Sequence, residues 1–504
     1  MKTVTTTDPR DGSSRPLDIQ ETSSEEVRQI VAAAAGAARD LRSAPRSWRA
    51  GLLRAVADEI DASRGELTVA AQSETGLTPA RLDGELTRTA FQFRLFADAV
   101  DEGSFLEATI DRAAETPTGA GPDLRRILVP LGPVAVFGAS NFPFAFSVPG
   151  GDTASALAAG NPVIAKAHPA HPVTSVRSFE AMQRALVHHG APPEVLGLIF
   201  GQDAGASLVA DPGVRAVAFT GSARTGRLLM DLISRRPVPI PFYGELSSIN
   251  PVIVSPAAAA ARGEQIAQGL FASVTGSAGQ LCTKPGLAFI PRGADALVET
   301  LVAQVQAAGA QPMLSAGILS SFEETLSGLE GVAGVRTLVG SRRVSRVGTD
   351  VVPGLLEVDV EDFSAAVAEE AFGPSIVLVR YDDVSELVAA VRDIPGSLTS
   401  TLHIEQPDSM DLTELLPVLQ SLAGRVVFNG YPTGVRVAWA QHHGGPWPAT
   451  NSIHTSVGVT AMRRFLRPMA WQDAPQQLLP VELQDGPADL PRRIDGVLIL
   501  PDPR

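Results

Sequence analysis

Apolar positions recur at helical spacing through the first hundred residues. Val27, Ile30, Val31 and Ala34 form one stripe. Ser23 or Ser24 stands ahead of it as a cap, and Glu25 and Glu26 suit its first turn, so the spacing predicts a helix over 24–43. Leu52, Leu53, Val56 and Ile60 mark a second helix over 47–63, and a third covers 79–100. At Arg126 the pattern changes. Ile127–Leu131 and Val134–Phe137 are short unbroken apolar runs, followed by a turn, a helix over 150–159 and a buried strand at Val163–Lys166. Helices near 175–188 and 204–210 then alternate with strands near 195–200 and 216–219. Such alternation predicts a parallel sheet covered by crossover helices. Ligands of open α/β sheets sit beyond the carboxyl ends of the strands, where Lys166, Gly201 and Gly221 fall.

A second α/β region opens with Pro251-Val252-Ile253-Val254 and runs to about residue 455. The chain of 504 residues is longer than one core supports. The tail from Arg463, rich in Arg, Pro and Leu, is expected to pack on another element or subunit.

The net charge of −14, with no basic stripe to offset it, argues against nucleic acid or an anionic membrane as partner. Met1–Pro16 is polar and lacks the apolar core of a secretory signal. No apolar run approaches a membrane span, so the expected location is cytoplasmic.

One residue then changes the picture. Cys282 is the only cysteine, and it lies in Gly279-Gln280-Leu281-Cys282-Thr283-Lys284-Pro285-Gly286. It cannot form an internal disulfide, so its thiol either packs inertly or does chemistry. A nucleophilic thiolate needs an oxyanion donor and a base. Asn141, after the strand ending at Phe137, offers an amide. Glu245, in Tyr243-Gly244-Glu245-Leu246, offers a carboxylate whose pKa partial desolvation is expected to raise. Phe219-Thr220-Gly221-Ser222 follows a strand and opens a helix, which presents amides to a pyrophosphate. His168 and His171 lack partners at metal-ligand spacing, and His442-His443-Gly444-Gly445 reads as loop. No metal site is expected.

Six stretches in order resemble the aldehyde dehydrogenase superfamily from about residue 20 to the C-terminus. They are Gly138-Ala139-Ser140-Asn141-Phe142-Pro143, Lys166-Ala167-His168-Pro169, Phe219-Thr220-Gly221-Ser222, Gly244-Glu245-Leu246, Gly279-Gln280-Leu281-Cys282-Thr283 and Glu369-Glu370-Ala371-Phe372-Gly373-Pro374. The resemblance implies an α/β fold of two Rossmann-like domains. The cofactor-binding domain would comprise 1–108 and 128–248, and the catalytic domain 249–455. A small oligomerisation element would comprise 109–127 and 456–504 of a homodimer or homotetramer. It also implies that Cys282 is the nucleophile, Glu245 the general base, and Asn141 with the Cys282 N–H the oxyanion hole. Lys166 would hold the adenine ribose, Ser222 the pyrophosphate, with Gly221 also against the cofactor, and Glu370 and Phe372 the nicotinamide ribose and ring. Ser140, His168 and Pro169 complete the implied cofactor set.

Within the superfamily the likeness is strongest to α-ketoglutaric semialdehyde (2,5-dioxopentanoate) dehydrogenases and their NADP-linked relatives. It is carried by Ser147–Leu157, Ala167–Pro172, Asn429–Val435, His443–Thr450 and Arg464–Pro468. It implies oxidation of a semialdehyde acid through a Cys thiohemiacetal and thioester, with water as acyl acceptor. The alternatives are a dehydrogenase for a longer apolar or pathway-specific aldehyde, with Phe142, Phe144, Phe146 and Trp439 as tunnel walls, and a silent binding protein. Arg436 is a candidate carboxylate contact; a solvated surface arginine is the other reading. Pro169 stands where NAD-preferring relatives carry a glutamate that repels a 2′-phosphate, so NADP is the preferred expectation and NAD remains possible. Asp203 opposes that preference mildly.

Overall fold

The computed structural model describes residues 2–406 and 412–501. Helix Ser24–Ser43 begins with a reciprocal cap: the Ser23 hydroxyl accepts from the Glu26 N–H, and the Glu26 carboxylate accepts from the Ser23 N–H at 2.7 Å. Helices Arg46–Ala62 and Pro79–Glu102 follow, the latter capped by Thr78 and stopped by Gly103 at φ 84°. Between them lies a helix the periodicity did not mark, Arg64–Thr75. It buries only Leu67, Ala71, Glu74 and Thr75, a stripe too thin to read from apolar spacing. The N-terminal segment forms an antiparallel pair, Thr3–Thr7 with Ser14–Gln20.

The first large sheet is wholly parallel, in the order Phe242–Glu245, Ala216–Thr220, Val134–Phe137, Val163–Lys166, Leu196–Ile199. Alternate residues of one strand serve two cores. Val134 and Val136 pack with Leu53, Phe93 and Leu157, while Ala135 and Phe137 pack with Val31, Ile164 and Phe219. Each fully buried Leu or Phe in these layers contributes about 1.5–3 kcal/mol. Register aligns the strand ends: Phe137 lies opposite both Lys166 and Phe219, and Thr220 lies opposite Glu245. The carboxyl edge of the sheet therefore presents Lys166, Thr220 and Glu245 together.

The second sheet has seven strands in the order Arg336–Val339, Gly354–Asp359, Ser375–Tyr381, Leu287–Pro291, Val252–Val254, Ser397–His403, Ala423–Phe428. Its strands are parallel except at the Arg336–Val339 edge. Helix Pro256–Thr275 leads from this sheet to the Cys282 loop through Ser277, Ala278 and Gly279, all at positive φ. A Cβ on Gly279 would lie 2.3 Å from the Gly373 carbonyl carbon, so only glycine lets this loop lie against the Glu370–Pro374 loop.

A third, outer sheet joins Leu466–Gln472, Leu124–Pro130, Thr109–Asp111, Arg492–Ile494 and Val497–Ile499. The apolar run at Ile127–Leu131, grouped above with the parallel strands, belongs here and pairs antiparallel with Leu466–Gln472. Its first half alternates, with Arg125 and Ile127 buried and Leu124 and Arg126 exposed, as a half-covered strand does. Among the described residues no helix is long and apolar enough to cross a membrane.

Candidate active site

Glu245 closes strand Phe242–Glu245 and is only 3% exposed. Its Oε2 accepts from the Ser456 hydroxyl at 2.7 Å, and its Oε1 lies 3.0 Å from His443 Nε2. The same nitrogen lies 3.6 Å from Cys282 Sγ. One imidazole nitrogen thus stands between thiol and carboxylate, and the three groups lie within 4.8 Å of one another. Beside Glu245 and His443 is a cavity of about 10 Å³, also lined by Tyr243, Thr450, Ser456 and Arg464. That volume is the scale of one water.

Burial pushes the Glu245 carboxyl upward, but His443 and the hydrogen bonds from His443, Ser456 and Cys282 outweigh it. The net pKa falls below the ordinary carboxylate value, which corrects the expectation that desolvation would raise it. The thiol moves the other way. Burial lifts the Cys282 pKa well above its ordinary 9.0, and the neighbouring Glu245 charge adds to the rise, with Arg88 opposing. The resting pair is therefore a protonated thiol beside an ionised carboxylate.

The Cys282 loop is held from two sides. The Asn141 amide donates to the Gln280 carbonyl at 2.9 Å. Asn250, fully buried at φ 53°, donates to the carbonyls of Cys282 at 2.9 Å and Lys284 at 3.1 Å. Its Oδ1 accepts from the Ser248 hydroxyl at 2.7 Å and the Thr399 hydroxyl at 3.0 Å. The buried Lys284 ammonium donates to the carbonyls of Ala371 and Ser375, each at 2.9 Å. Glu370 faces Lys284 and accepts from the Ser248 N–H at 3.1 Å, and burial drives its pKa up. Half-buried Phe372 follows in the same loop.

At the other sheet ends, Lys166 closes its strand and burial lowers its pKa to about 8, with Glu21 opposing. His168 is driven well below 6.5 by burial and by the His171 and Lys166 charges, so it stands neutral at pH 7. Pro169 is exposed and Ser140 half-buried. Ser222 caps helix Ala223–Ser234 by accepting from the Thr225 N–H, and the Gly221 N–H donates to the Glu245 carbonyl at 3.0 Å. A Cβ on Gly205 would lie 3.1 Å from the Phe137 ring, so helix Gln202–Ala210 packs close to Lys166. A desolvated ammonium beside a helix N-terminus, along the carboxyl edge of a parallel sheet, fits the phosphates and ribose of a dinucleotide.

Of the suggested substrate residues, Phe142 and Phe146 meet edge to face at 5.2 Å, and Phe146 lies 6.3 Å from the His443 ring. Phe144 is fully buried, whereas Arg436 and Trp439 are exposed. Sequence reasoning missed His443, read as loop, and Asn250.

The sequence profile of the aldehyde dehydrogenase family matches residues 2–448. Alpha-ketoglutaric semialdehyde dehydrogenase 2 of Azospirillum brasilense is 47% identical over 465 residues, 90% of this chain and 88% of that protein. The alpha-ketoglutaric semialdehyde dehydrogenase of Acinetobacter baylyi is 40% identical over 482 residues, 94% and 91% of the two chains. Among solved structures, an NADP dependent enzyme from E. coli superposes with a TM-score of 0.80 at 23% identity, covering 94% of each chain, a likeness of fold. The chain belongs to the aldehyde dehydrogenase family. It is an NAD(P)-dependent aldehyde dehydrogenase, an oxidoreductase that uses a nicotinamide cofactor.

Proposed function

We propose that the chain oxidises an acidic semialdehyde of the 2,5-dioxopentanoate type to the dicarboxylic acid, with NADP preferred over NAD. Both relatives named above are alpha-ketoglutaric semialdehyde dehydrogenases that cover nine-tenths or more of this chain. The observation that carries the chemistry is the Cys282–His443–Glu245 contact.

The Cys282 sulfur bonds to the aldehyde carbon as its proton leaves. His443 Nε2, in contact with both sulfur and Glu245 Oε1, is placed to take that proton, the ionised Glu245 carboxylate stabilising the imidazolium so formed. The carbonyl oxygen becomes an oxyanion beside Asn141. That amide has two N–H donors and commits one to Gln280, which leaves the other for the oxygen along with the Cys282 N–H. One such donor is worth about 3 kcal/mol in the transition state. The nicotinamide dinucleotide, when bound, would supply the hydride acceptor; Lys166, Gly221 and Ser222 would hold its adenine ribose and phosphates, and Glu370 and Phe372 its nicotinamide ribose and ring. Loss of the hydride from carbon leaves a Cys282 thioester. Glu245 then takes a proton from water in the adjoining cavity, the hydroxide adds to the thioester carbon, and the acid is released as the Cys282 thiolate leaves and regains its proton from His443, while Glu245 gives its proton to solvent.

NADP is favoured by Pro169, which places no acid where a 2′-phosphate would sit, and by the Lys166 ammonium. His168, being neutral, adds a hydrogen-bonding group without charge. The outer sheet ends in strand Val497–Ile499 with Val497, Leu498 and Leu500 more than half exposed, which supports a homo-oligomer built along that edge. The second reading, a longer apolar aldehyde, draws on the Phe142–Phe146 pair.

Steady-state rates with 2,5-dioxopentanoate, shorter semialdehyde acids and unsubstituted aliphatic aldehydes, each with NADP and NAD, test the assignment. The highest kcat/KM is expected for the five-carbon acidic substrate with NADP. A higher value for the unsubstituted aldehydes would select the second reading.

A further inference from the structure

Helix Pro79–Glu102 brings two arginines, Arg81 and Arg88, to the aromatic pair beside the nucleophile. Seven residues apart, they lie on one helix face. The Arg81 guanidinium covers the Phe142 ring at 4.5 Å, and the Arg88 guanidinium covers the Phe146 ring at 4.9 Å. The Phe146 ring lies 6.3 Å from the His443 ring, whose Nε2 is 3.6 Å from Cys282 Sγ. Arg88 is thus one aromatic ring away from the reacting pair.

The two arginines differ in their partners. Arg81 is paired with the Glu85 Oε2 at 2.7 Å. The other oxygen of Glu85 accepts the N–H groups of Phe144 and Ala145, each at 2.8 Å. Both Nη atoms of Arg88 are shut off from solvent and have no hydrogen-bond partner among the described residues. Burial lowers the Arg88 pKa, and the charges of Glu85, Cys282 and Glu245 work against that loss while Arg81 adds to it. An uncompensated guanidinium in the interior is costly, so an unpaired one calls for a partner that completes it. Its planar fork matches the two oxygens of a carboxylate.

We propose that Arg88 is the specificity-determining residue of this enzyme, its two Nη donors receiving the distal carboxylate of the semialdehyde while the Phe142–Phe146 pair flanks the carbon chain and Cys282 meets the aldehyde. The assignment rests on the acidic substrate argued above and supplies the cation that substrate requires. It places that cation on Arg88 and not on the exposed Arg436. Arg425 also feels the charge of Cys282, but one of its Nη groups already donates to the Pro432 carbonyl at 2.7 Å.

The test compares wild type, Arg88→Met and Arg88→Lys. The readout is the ratio of kcat/KM for 2,5-dioxopentanoate to kcat/KM for pentanal, with near-ultraviolet circular dichroism and NADP binding as checks of folding. Arg88→Met is expected to lower the ratio by about 10- to 100-fold, mainly through KM for the acid, and Arg88→Lys to restore part of it. A ratio unchanged in Arg88→Met, or equal losses on both substrates, would overturn the assignment. A wild type with no preference for the acid would instead contradict the substrate reading itself. Should Arg88→Met fail to fold, the Arg88→Lys ratio decides: a single-point donor should lower it, and a wild-type ratio would count against the fork.

Discussion

His443 Nε2 lies between Cys282 Sγ and Glu245 Oε1, 3.6 Å from the sulfur and 3.0 Å from the oxygen. In the proposed mechanism the thiol that gives up a proton and the carboxylate that activates water therefore share one neighbour. Removing it should damage both halves of the reaction. His443→Ala is expected to lower kcat/KM by about 100-fold or more, the scale of lost general acid–base assistance. It should also slow alkylation of Cys282 by iodoacetamide at pH 7. Wild-type alkylation and turnover in that variant would exclude His443 as the proton acceptor.

The same substitution has a signed consequence for pH. Glu245 has a folded pKa below its ordinary value, so its ionised form stabilises the fold above the unfolded pKa, and that contribution disappears as pH falls through the folded value. Without His443 burial is opposed less and the Glu245 pKa should rise. The acid limb of the deacylation rate is then expected to move to higher pH, as followed by single-turnover kinetics across pH 4 to 8. A limb that stays in place would show that His443 does not set the charge of Glu245.

Cys282 should titrate high in the free enzyme, since burial and the Glu245 charge both raise its pKa. Its alkylation rate is expected to keep climbing with pH beyond 9. A plateau reached by pH 7 would show that the resting group is already a thiolate.

How far the site could be read from sequence follows from where each residue's signal lies. Cys282, Glu245, Asn141 and Lys166 stand in short motifs at strand ends or in a glycine-rich loop, so linear pattern finds them. His443 is 198 residues from Glu245 and 161 from Cys282, and only tertiary packing brings the three together. That unseen contact also reversed the expected Glu245 shift. Arg88 was hidden in the same way, inside a helix that reads as scaffold until Phe146 is found beneath it. Strand Leu124–Pro130 was visible as apolar, but its antiparallel partner, Leu466–Gln472, lies more than three hundred residues away.

Asn250 clamps the Cys282 loop from below, and its positive φ is tolerated by asparagine better than by most side chains. Asn250→Ala loses those bonds and leaves the carbonyls buried, so it should cost about 1–3 kcal/mol of stability by the usual range for such groups. Denaturant unfolding checks the stability, and kcat should fall with the disordered loop. A variant of wild-type stability and rate would show that the clamp is dispensable.

Pro169→Glu introduces an acid at the position proposed to face the 2′-phosphate of NADP. It is expected to lower kcat/KM with NADP about tenfold or more while sparing NAD. An unaltered cofactor ratio would show that this position does not face the ribose.

The acyl step itself can be caught by intact-protein mass spectrometry of Glu245→Gln mixed with NADP and 2,5-dioxopentanoate. The account predicts a stoichiometric burst of NADPH and a persistent acyl adduct that maps to the Cys282 peptide. Rapid steady turnover with no adduct on that sulfur would contradict it.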